Sequence, residues 1–187
     1  LTHLPELGSE ECSLEHAHGR ILVGELRADR PLPPYDRVMM DGICFRAADV
    51  GSEPCLTLAG VHAAGAPPPE PLPTGHCWEV MTGACLPPDC DTVVPYEHTK
   101  RVAHQVTFSL DQSLPGRFIH ESGSDHASGD VLVPAERRID SRIAAVAATV
   151  GATALKVMKR PRVTVFTTGD EVVAPSVAPA PHQVRQS

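Results

Sequence analysis

Four short glycine-containing segments of this chain carry oxygen-bearing side chains at turn-like positions. The residues concerned are Asp41 and Gly42 in RVMMDGICFR, Thr82 and Gly83 in MTGA, Asp125 in SGSDHASG, and Thr168, Gly169, Asp170 and Glu171 in TTGDE. Carboxylates can ligate a hard cation such as Mg²⁺, and threonine hydroxyls and N–H groups near glycine can donate to an oxyanion. Glycine also lets the backbone turn sharply and approach a ligand closely. These residue types indicate an anion or metal site, provided that the fold brings the segments together.

Each segment taken alone has a simpler interpretation. Asp41-Gly42 is typical of a turn between strands, and Thr82 can end a strand before a turn glycine. Asp125 can be a solvated loop residue. By the same reasoning Glu97 is interpreted as structural or peripheral. We expect the loop histidines on either side of Asp125, His120 and His126, to be solvated rather than metal-bound.

The composition indicates a globular protein with an aliphatic core. The 187 residues are 42% hydrophobic and 21% charged, and only 4% are aromatic, which allows one large domain or two smaller ones. The formal net charge of -7 argues against a general nucleic-acid binder, which needs basic residues to displace counterions. The chain has no signal peptide and no apolar run long enough to span a membrane, so we predict a cytoplasmic protein without a membrane partner.

The six cysteines are predicted to be structural thiols. None forms a CxxC pair, and several lie inside apolar stretches, where a free cysteine behaves as a small buried hydrophobe. Cys85 and Cys90 lie in GACLPPDCD near Thr82. A redox or metal role there stays open beside the structural one.

The elements that must position the candidate residues follow from periodicity. Ser13 is a possible N-cap of a helix in which Ala17, Ile21, Leu22 and Leu26 recur at helical spacing, until the prolines of RPLPPYDR end it. From Val38 to Ser109 five short β-like runs predict a compact β-rich module: GICFRA, CLTLAGV, HCWEVMTG, DTVVPYEH and HQVTFSL. The proline-rich stretch 63–75 is either a stiff connector or a binding segment.

The C-terminal third returns to helical patterning. A helix is predicted to start at Asp140-Ser141 and to stop at Gly151, and the strand ALKVM follows. Val163–Phe166 is predicted to be a buried parallel strand that runs into the TTGDE turn, where α/β folds place ligands. No helix follows to complete a βαβ unit, and the first residue is not methionine, so we expect trimming at both ends.

Four segments in fixed order resemble one family. They are PLPPYDRVMMDGICFR (31–46), the block from AAGAPP to TVVPYE (63–97), ESGSDHASGDVL (121–132) and PRVTVFTTGDEVV (161–173). Together they look like the molybdopterin molybdenumtransferase family, which includes bacterial MoeA and the E domain of gephyrin. The resemblance runs over nearly the whole chain from about Leu14.

The resemblance implies an elongated, multi-domain α+β fold. A first domain of mixed helix and strand would comprise residues 1–28 and 129–159. A β-rich second domain, residues 29–128, would be inserted between its halves. Residues 160–187 would begin a truncated α/β molybdopterin-binding domain, of which only the first strand is present.

The resemblance also implies a reaction and its site residues. Members insert molybdate into adenylylated molybdopterin and release AMP, with Mg²⁺ as the expected cofactor. Catalytic roles would fall on Asp41, Thr82, Asp125 and Glu171, and cofactor-binding roles on Gly42, Gly83, Thr168, Gly169 and Asp170. The metal ligands are not identified. Members are homodimers, and other molybdenum cofactor synthesis proteins are further expected partners.

A non-catalytic alternative stays open on the same resemblance. The chain could be a dimeric scaffold or assembly module with a degenerate or missing active site, as gephyrin uses the fold for partner contacts. The sequence also departs from the family at Val38-Met39 and Ile43, around Met-Asp-Gly, and at His120-Glu121-Ser122, where arginines are common. These departures indicate a divergent subgroup or altered handling of the anionic substrate.

Overall fold

The structure is a computed structural model that describes residues 7–186, and within this range the chain is mostly β with one α-helix. The strands are β1 (Ser9–Ser13), β2 (Leu26–Arg27), β3 (Arg37–Val38), β4 (Gly42–Phe45), β5 (Cys55–His62), β6 (His76–Val80), β7 (Thr92–Pro95), β8 (Thr99–Val102), β9 (Gln105–Phe108), β10 (Ile119–His120), β11 (Val131–Val133), β12 (Ala154–Met158), β13 (Val172–Val173) and β14 (Val184–Arg185). The helix is α1 (Ser141–Thr149), and short 3-10 turns lie at Leu14–His16, Ala47–Asp49, Tyr96–His98 and Leu110–Gln112. The parts of the domain expectations that fall on residues 1–6 and 187 lie outside the described residues.

The helix predicted to begin at Ser13 is wrong. Residues 9–13 form β1, which pairs antiparallel with β12, and only the 3-10 turn Leu14–His16 follows. Gly19 and Gly24 have positive φ angles of 78° and 91°, which an α-helix does not accommodate. The N–H groups of this stretch instead bond to distant carbonyls, as Leu22 does to Arg137 at 2.9 Å. Tertiary pairing therefore overrides the helical spacing.

The second predicted helix is confirmed as α1. The Asp140 carboxylate caps it by accepting the N–H groups of Arg142 at 3.0 Å and Ile143 at 2.9 Å. Gly151, with φ of 76°, follows the last turn as a C′ glycine. The strand ALKVM that was predicted next is also confirmed, as β12.

One core gathers residues from two distant parts of the chain. Its buried members are Ala17, Leu22, Leu26, Val133, Ile139, Ala147, Leu155 and Val157. The strands β2 and β11 pair antiparallel where the chain leaves this core and returns to it. At that point the Gly129 N–H donates to the Ala28 carbonyl at 2.8 Å.

The five predicted β-runs are confirmed as β4, β5, β6, β7 and β9, and they form a six-stranded sheet with β8 in the order β7-β4-β6-β5-β9-β8. The edge strands β7 and β8 are joined only by the turn Tyr96–His98. A flat sheet would separate them by about 24 Å, whereas the peptide units from Pro95 to Thr99 span at most about 15 Å. The sheet therefore curls so that its two edges approach each other.

Two further cores lie on opposite faces of β4. Ile43 and Phe45 point into the core enclosed by the curl, where Phe45 stacks on Phe108 with ring centroids 4.9 Å apart. Cys44 points the other way, into a core that includes Val38 and Val80. Because both faces are covered, all four residues of β4 are buried.

The buried parallel strand predicted at Val163–Phe166 is also wrong. This stretch has no strand assignment, and Val163, Val165 and Phe166 are 77%, 73% and 83% exposed. A parallel strand forms only beside a hydrogen-bonding neighbour, and no described segment pairs with this one. Further along, β13 and β14 form a short parallel pair. None of the helices in the described part has the length and apolar character that crossing a membrane requires.

Candidate functional site

Asp41 and Thr82 meet at one end of the β4–β6 ladder. Gly42, the first residue of β4, pairs with Val80, the last residue of β6, so the residues just beyond these strand ends are neighbours. The Thr82 N–H donates to Asp41 Oδ1 at 2.6 Å, and the Thr82 hydroxyl donates to the same oxygen at 2.7 Å. The fold thus joins two predicted site residues that are 41 positions apart in the sequence.

Asp41 is an exposed, ionised carboxylate with one oxygen free. The Thr82 backbone N–H, and then the Thr82 hydroxyl, lower the pKa of Asp41 from its ordinary value of 3.8. Both bonds use Oδ1, and among the described residues none donates to Oδ2. Oδ2 is therefore available to ligate a hard cation or to accept a hydrogen bond from a ligand.

The donors predicted to face an oxyanion near Gly83 already have partners in the protein. The Thr82 N–H and hydroxyl both donate to Asp41, and the Gly83 N–H donates to the Val38 carbonyl at 2.8 Å. Gly83 has a positive φ of 89°, which sets the turn. In this arrangement Thr82 orients the Asp41 carboxylate and does not present donors to an external anion.

Gly42 is required by packing within the sheet. A Cβ atom at this position would overlap the Val94 carbonyl oxygen and lie 2.8 Å from Pro95 Cα. Gly42 was predicted to allow close approach of a ligand. In the structure the group that comes close to Gly42 is the backbone of β7. The position of Asp41 depends on this packing of β7 against β4.

Tyr96 and Glu79 support the Asp41 turn, and the sequence reasoning missed both. The Tyr96 N–H donates to the Asp41 carbonyl at 3.1 Å, and its hydroxyl donates to Glu79 Oε1 at 2.7 Å. Arg101 donates to the other Glu79 oxygen at 3.0 Å. Burial and the Glu79 carboxylate raise the pKa of Tyr96, so its hydroxyl stays protonated. The sequence did carry one sign of the role of Glu79, which is a glutamate within the half-buried run HCWEV. A charge in such a run needs partners in the protein.

Asp125 lies in a second group with Arg37 and His120. The His120 Nε2 atom is 3.1 Å from Asp125 Oδ1, and its Nδ1 atom is 3.0 Å from Arg37 Nη2. The prediction that His120 is solvated is wrong, because both ring nitrogens have protein partners. His126 is exposed, as predicted. The antiparallel pairing of β3 with β10 sets Arg37 opposite His120.

The two groups share one segment of backbone. Residues 36–39 form backbone hydrogen bonds with the 83–86 turn and with residues 118–120. For example, the Val38 N–H donates to the Ala84 carbonyl at 3.0 Å, and the Met39 N–H donates to the Phe118 carbonyl at 2.9 Å. Arg37 precedes Asp41 by four positions in this segment. Among the described residues no hydrogen bond joins Asp125 directly to Asp41 or Thr82.

The TTGDE residues are not brought to either group in this chain. Thr168, Gly169, Asp170 and Glu171 are exposed, and Gly169 has a φ of 135° with the Glu171 carboxylate folded against it. The Glu171 carbonyl accepts the Val184 N–H at 2.7 Å. Across residues 7–186, no hydrogen bond or ion pair links 168–171 with Asp41, Thr82 or Asp125.

The cysteines beside Thr82 are free thiols, as are the other four. Burial raises the pKa of the half-buried Cys85, and Cys90 lies in the core with Cys44. In the part of the chain that the structure describes, no three or more His, Cys, Asp or Glu side chains are grouped closely enough to hold a metal ion. These observations favour the structural interpretation of Cys85 and Cys90.

Comparison with known proteins identifies relatives over the whole chain. The family described as the MoeA N-terminal region (domains I and II) matches residues 1–151. A protein of Synechocystis named molybdopterin molybdenumtransferase is 36% identical to this chain in an alignment 188 positions long, which covers 99% of this chain and 48% of the relative. The chain thus spans about half the length of the curated relatives it matches.

Solved structures agree with the sequence comparison. Two crystal structures of molybdopterin biosynthesis MoeA protein from Pyrococcus horikoshii superimpose on this chain with TM-scores of 0.83 and 0.81, at 30% and 27% identity. The matches cover 97% and 90% of this chain and 48% and 46% of those chains.

Proposed function

Because the chain belongs to the MoeA family, of which it matches the N-terminal region, we propose that it acts in molybdenum cofactor biosynthesis as part of a molybdopterin molybdenumtransferase. The reaction is the insertion of molybdate into adenylylated molybdopterin with release of AMP. Both substrates are anionic small molecules, so the protein must hold negative charge close to a reacting centre.

The observation that carries this proposal is the Asp41–Thr82 pair. One Asp41 oxygen is anchored by two hydrogen bonds at 2.6 and 2.7 Å, and the other is free at the protein surface. A carboxylate held in this way keeps its charge and its orientation without help from the substrate. Because a carboxylate repels the anionic substrates, Asp41 can stabilise them only through a cation that it holds in a fixed position.

Asp41 Oδ2 also fits the requirement of Mg²⁺. This ion prefers oxygen ligands and usually keeps several waters, binding through one or two carboxylates plus substrate phosphates. When bound, Mg²⁺ would neutralise charge on the phosphate groups between AMP and molybdopterin. Asp41 would hold it, and Thr82 would keep Asp41 ionised and oriented.

We propose the domain division 1–28 with 129–159, 29–128, and 160–187. The core shared by residues 17–26 and 133–157 supports the discontinuous first domain. We propose that the molybdopterin end of the site includes Thr168, Gly169, Asp170 and Glu171. This end of the site requires further protein surface. In a cytoplasmic homodimer, Asp41 and Thr82 of this chain would face the molybdopterin end of the site in the partner subunit.

The test is AMP release by the protein at its natural full length, given adenylylated molybdopterin, molybdate and Mg²⁺. Asp41→Asn keeps the size of the side chain and removes its charge, and we expect AMP release to slow by about 100-fold, typical of losing one preorganised electrostatic group. Asp111→Asn, an exposed carboxylate in the Leu110–Gln112 turn, is the matched control and is expected to release AMP at the wild-type rate.

An unchanged rate for Asp41→Asn would overturn the site assignment. If the full-length protein forms dimers by light scattering but releases no AMP, and neither molybdate nor nucleotide changes its melting temperature, the result would support a non-catalytic scaffold.

A further inference from the structure

Arg37 is an exposed cation in strand β3. Its Nη2 atom lies 3.0 Å from His120 Nδ1, and it forms no ion pair with any described carboxylate. An aspartate or glutamate pairs with six other arginines: Arg20, Arg27, Arg30, Arg46, Arg101 and Arg142. Among the described residues no ion pair is formed by Arg117, Arg137, Arg138, Arg160, Arg162 or Arg185 either, so Arg37 is distinguished by the imidazole that holds its guanidinium. The guanidinium of Arg37 is held in place but keeps its full charge.

The donors and acceptors in the group of Arg37, His120 and Asp125 can be assigned in only one way. Arginine donates and cannot accept, so His120 Nδ1 must be the acceptor of the bond from Arg37. The proton of the neutral imidazole is then on Nε2, which donates to Asp125 Oδ1 at 3.1 Å. Asp125 is itself fixed, because its N–H donates to the Leu32 carbonyl at 2.9 Å. Asp125 thus sets the tautomer of His120, and His120 sets the position of the guanidinium.

We propose that Arg37 binds an oxyanion of the phosphate or molybdate type, with His120 and Asp125 as its positioning residues. The guanidinium has five N–H donors in a planar fork, and only one has a partner among the described residues. The others match the bidentate geometry of phosphate-like oxygens. An imidazole partner orients the fork without adding the negative charge that a carboxylate partner would bring.

The charges around Arg37 restrict the ligand. Asp36 lies beside it in the chain, with its carboxylate accepting the Ser122 N–H at 2.8 Å, and Glu121 is exposed next to His120. These carboxylates repel any anion in proportion to its charge, so binding must rely on the paired hydrogen bonds that the free donors of the guanidinium can make. Pyrophosphate and molybdate both present paired oxygens for such bonds.

The inference rests on the proposed function only for the identity of the natural ligand, which would be an anionic group of the substrates. The site lies four residues before Asp41 on the same hydrogen-bonded segment. It assigns to Asp125 the positioning of Arg37 through His120.

The test is a titration of the ¹⁵N-labelled chain with sodium pyrophosphate at constant ionic strength, with sodium molybdate as a second probe. We expect a saturable shift of the Arg37 Nε–H resonance and of the amides of β3 and β10. Arg37→Gln should weaken pyrophosphate binding by about tenfold or more, as expected for losing a charged hydrogen-bond donor. Lys100→Gln removes the same charge from the exposed strand β8 and should leave the affinity unchanged.

Two variants at position 120 separate positioning from a general structural role. The amide oxygen of His120→Asn can reach the place of Nδ1 and accept from Arg37, whereas the longer side chain of His120→Gln reaches towards Asp125 and gives up that acceptor. We expect His120→Gln to weaken binding about as much as Arg37→Gln, and His120→Asn to retain most of the affinity. A merely structural histidine would give equal losses in both variants.

Several outcomes would overturn the proposal. They are equal binding by wild type and Arg37→Gln, no saturable shift with either anion, or equal losses in the two His120 variants. Because the titration does not depend on AMP release, a failure here leaves the Asp41 prediction standing. Equally, an Asp41→Asn enzyme of full activity would leave this anion site in place.

Discussion

At the scale of single residues, the candidate site depends on which oxygen and nitrogen atoms are already bonded within the protein. Asp41 Oδ1 takes both donors of Thr82, so the carboxylate is ionised, oriented and half free. Among the described residues, both ring nitrogens of His120 have partners, whereas Arg37 uses one donor of five. Two groups keep free hydrogen-bonding or ligating atoms. Asp41 Oδ2 is complementary to a metal ion, and the Arg37 guanidinium is complementary to an anion.

The lowered pKa of Asp41 gives a prediction at this scale. Thr82→Val removes the hydroxyl and keeps the backbone donor, which is the larger cause of the shift, so the pKa of Asp41 should rise part of the way towards 3.8. The measurement is a carboxyl ¹³C titration by NMR. Thr82→Ser keeps the hydroxyl and should titrate like wild type, and an unchanged pKa in Thr82→Val would contradict the role given to this bond.

The same shift determines how acid affects the folded state. Because the pKa of Asp41 is depressed on folding, its bonds to Thr82 add stability above pH 3.8, and this contribution is lost as the pH falls through the folded-state pKa. When the pH falls from neutral to below the folded-state pKa of Asp41, the Thr82→Val variant should therefore lose less stability than wild type does.

At the scale of elements, β4 is the strand that positions the site. It lies between β6 and β7 and is buried on both faces, and Asp41 immediately precedes it. The β7 backbone approaches β4 so closely at Gly42 that no side chain fits there. The position of Asp41 relative to Thr82 therefore depends on a strand packing that tolerates only glycine.

Gly42→Ala is the prediction that tests this packing. The added methyl group must displace the Val94 carbonyl, and overpacking of this kind typically lowers the free energy of unfolding by about 1–3 kcal/mol. Urea denaturation measures the change. Gly51→Ala is the matched control, because a Cβ there meets nothing within 4 Å. It should change stability by less than about 0.5 kcal/mol, and similar losses in the two variants would argue against the close approach of β7.

At the scale of the whole molecule, the cores fall into two groups along the chain. One is built from residues 17–26 and 133–157, and the others from residues between 38 and 119. The chain crosses between them at Ala28 and Gly129, whose backbones are bonded to each other at 2.8 Å. This arrangement allows the two parts to unfold separately.

A pair of identical substitutions tests that independence. Leu155→Ala lies in the first core and Leu56→Ala in the core enclosed by the curled sheet, and each should cost about 2–5 kcal/mol of local stability. Native-state hydrogen exchange, read at the amides of β12 and β5, should show lost protection only in the part that carries the substitution. Equal losses at both sets of amides would mean that the molecule unfolds as one unit.

The sequence by itself determined the elements whose signals are local. Asp140 and Gly151 mark the ends of α1, since an N-cap carboxylate and a C′ glycine act on their own helix turns. The five alternating runs between Val38 and Ser109 became strands for the same reason. The four motifs in order also identified the family, because their spacing is a property of the chain and not of the fold.

Only the tertiary structure decided what depends on a distant partner. Residues 14–26 have helical spacing but bond to residues 137–139 and 156. Val163–Phe166 has strand composition, but no segment within residues 7–186 pairs with it. The Asp41–Thr82 bonds span 41 positions and the Arg37–His120 bond spans 83. Such contacts arise from strand register and sheet curvature, which are set by packing across the whole molecule and leave no local pattern in the sequence.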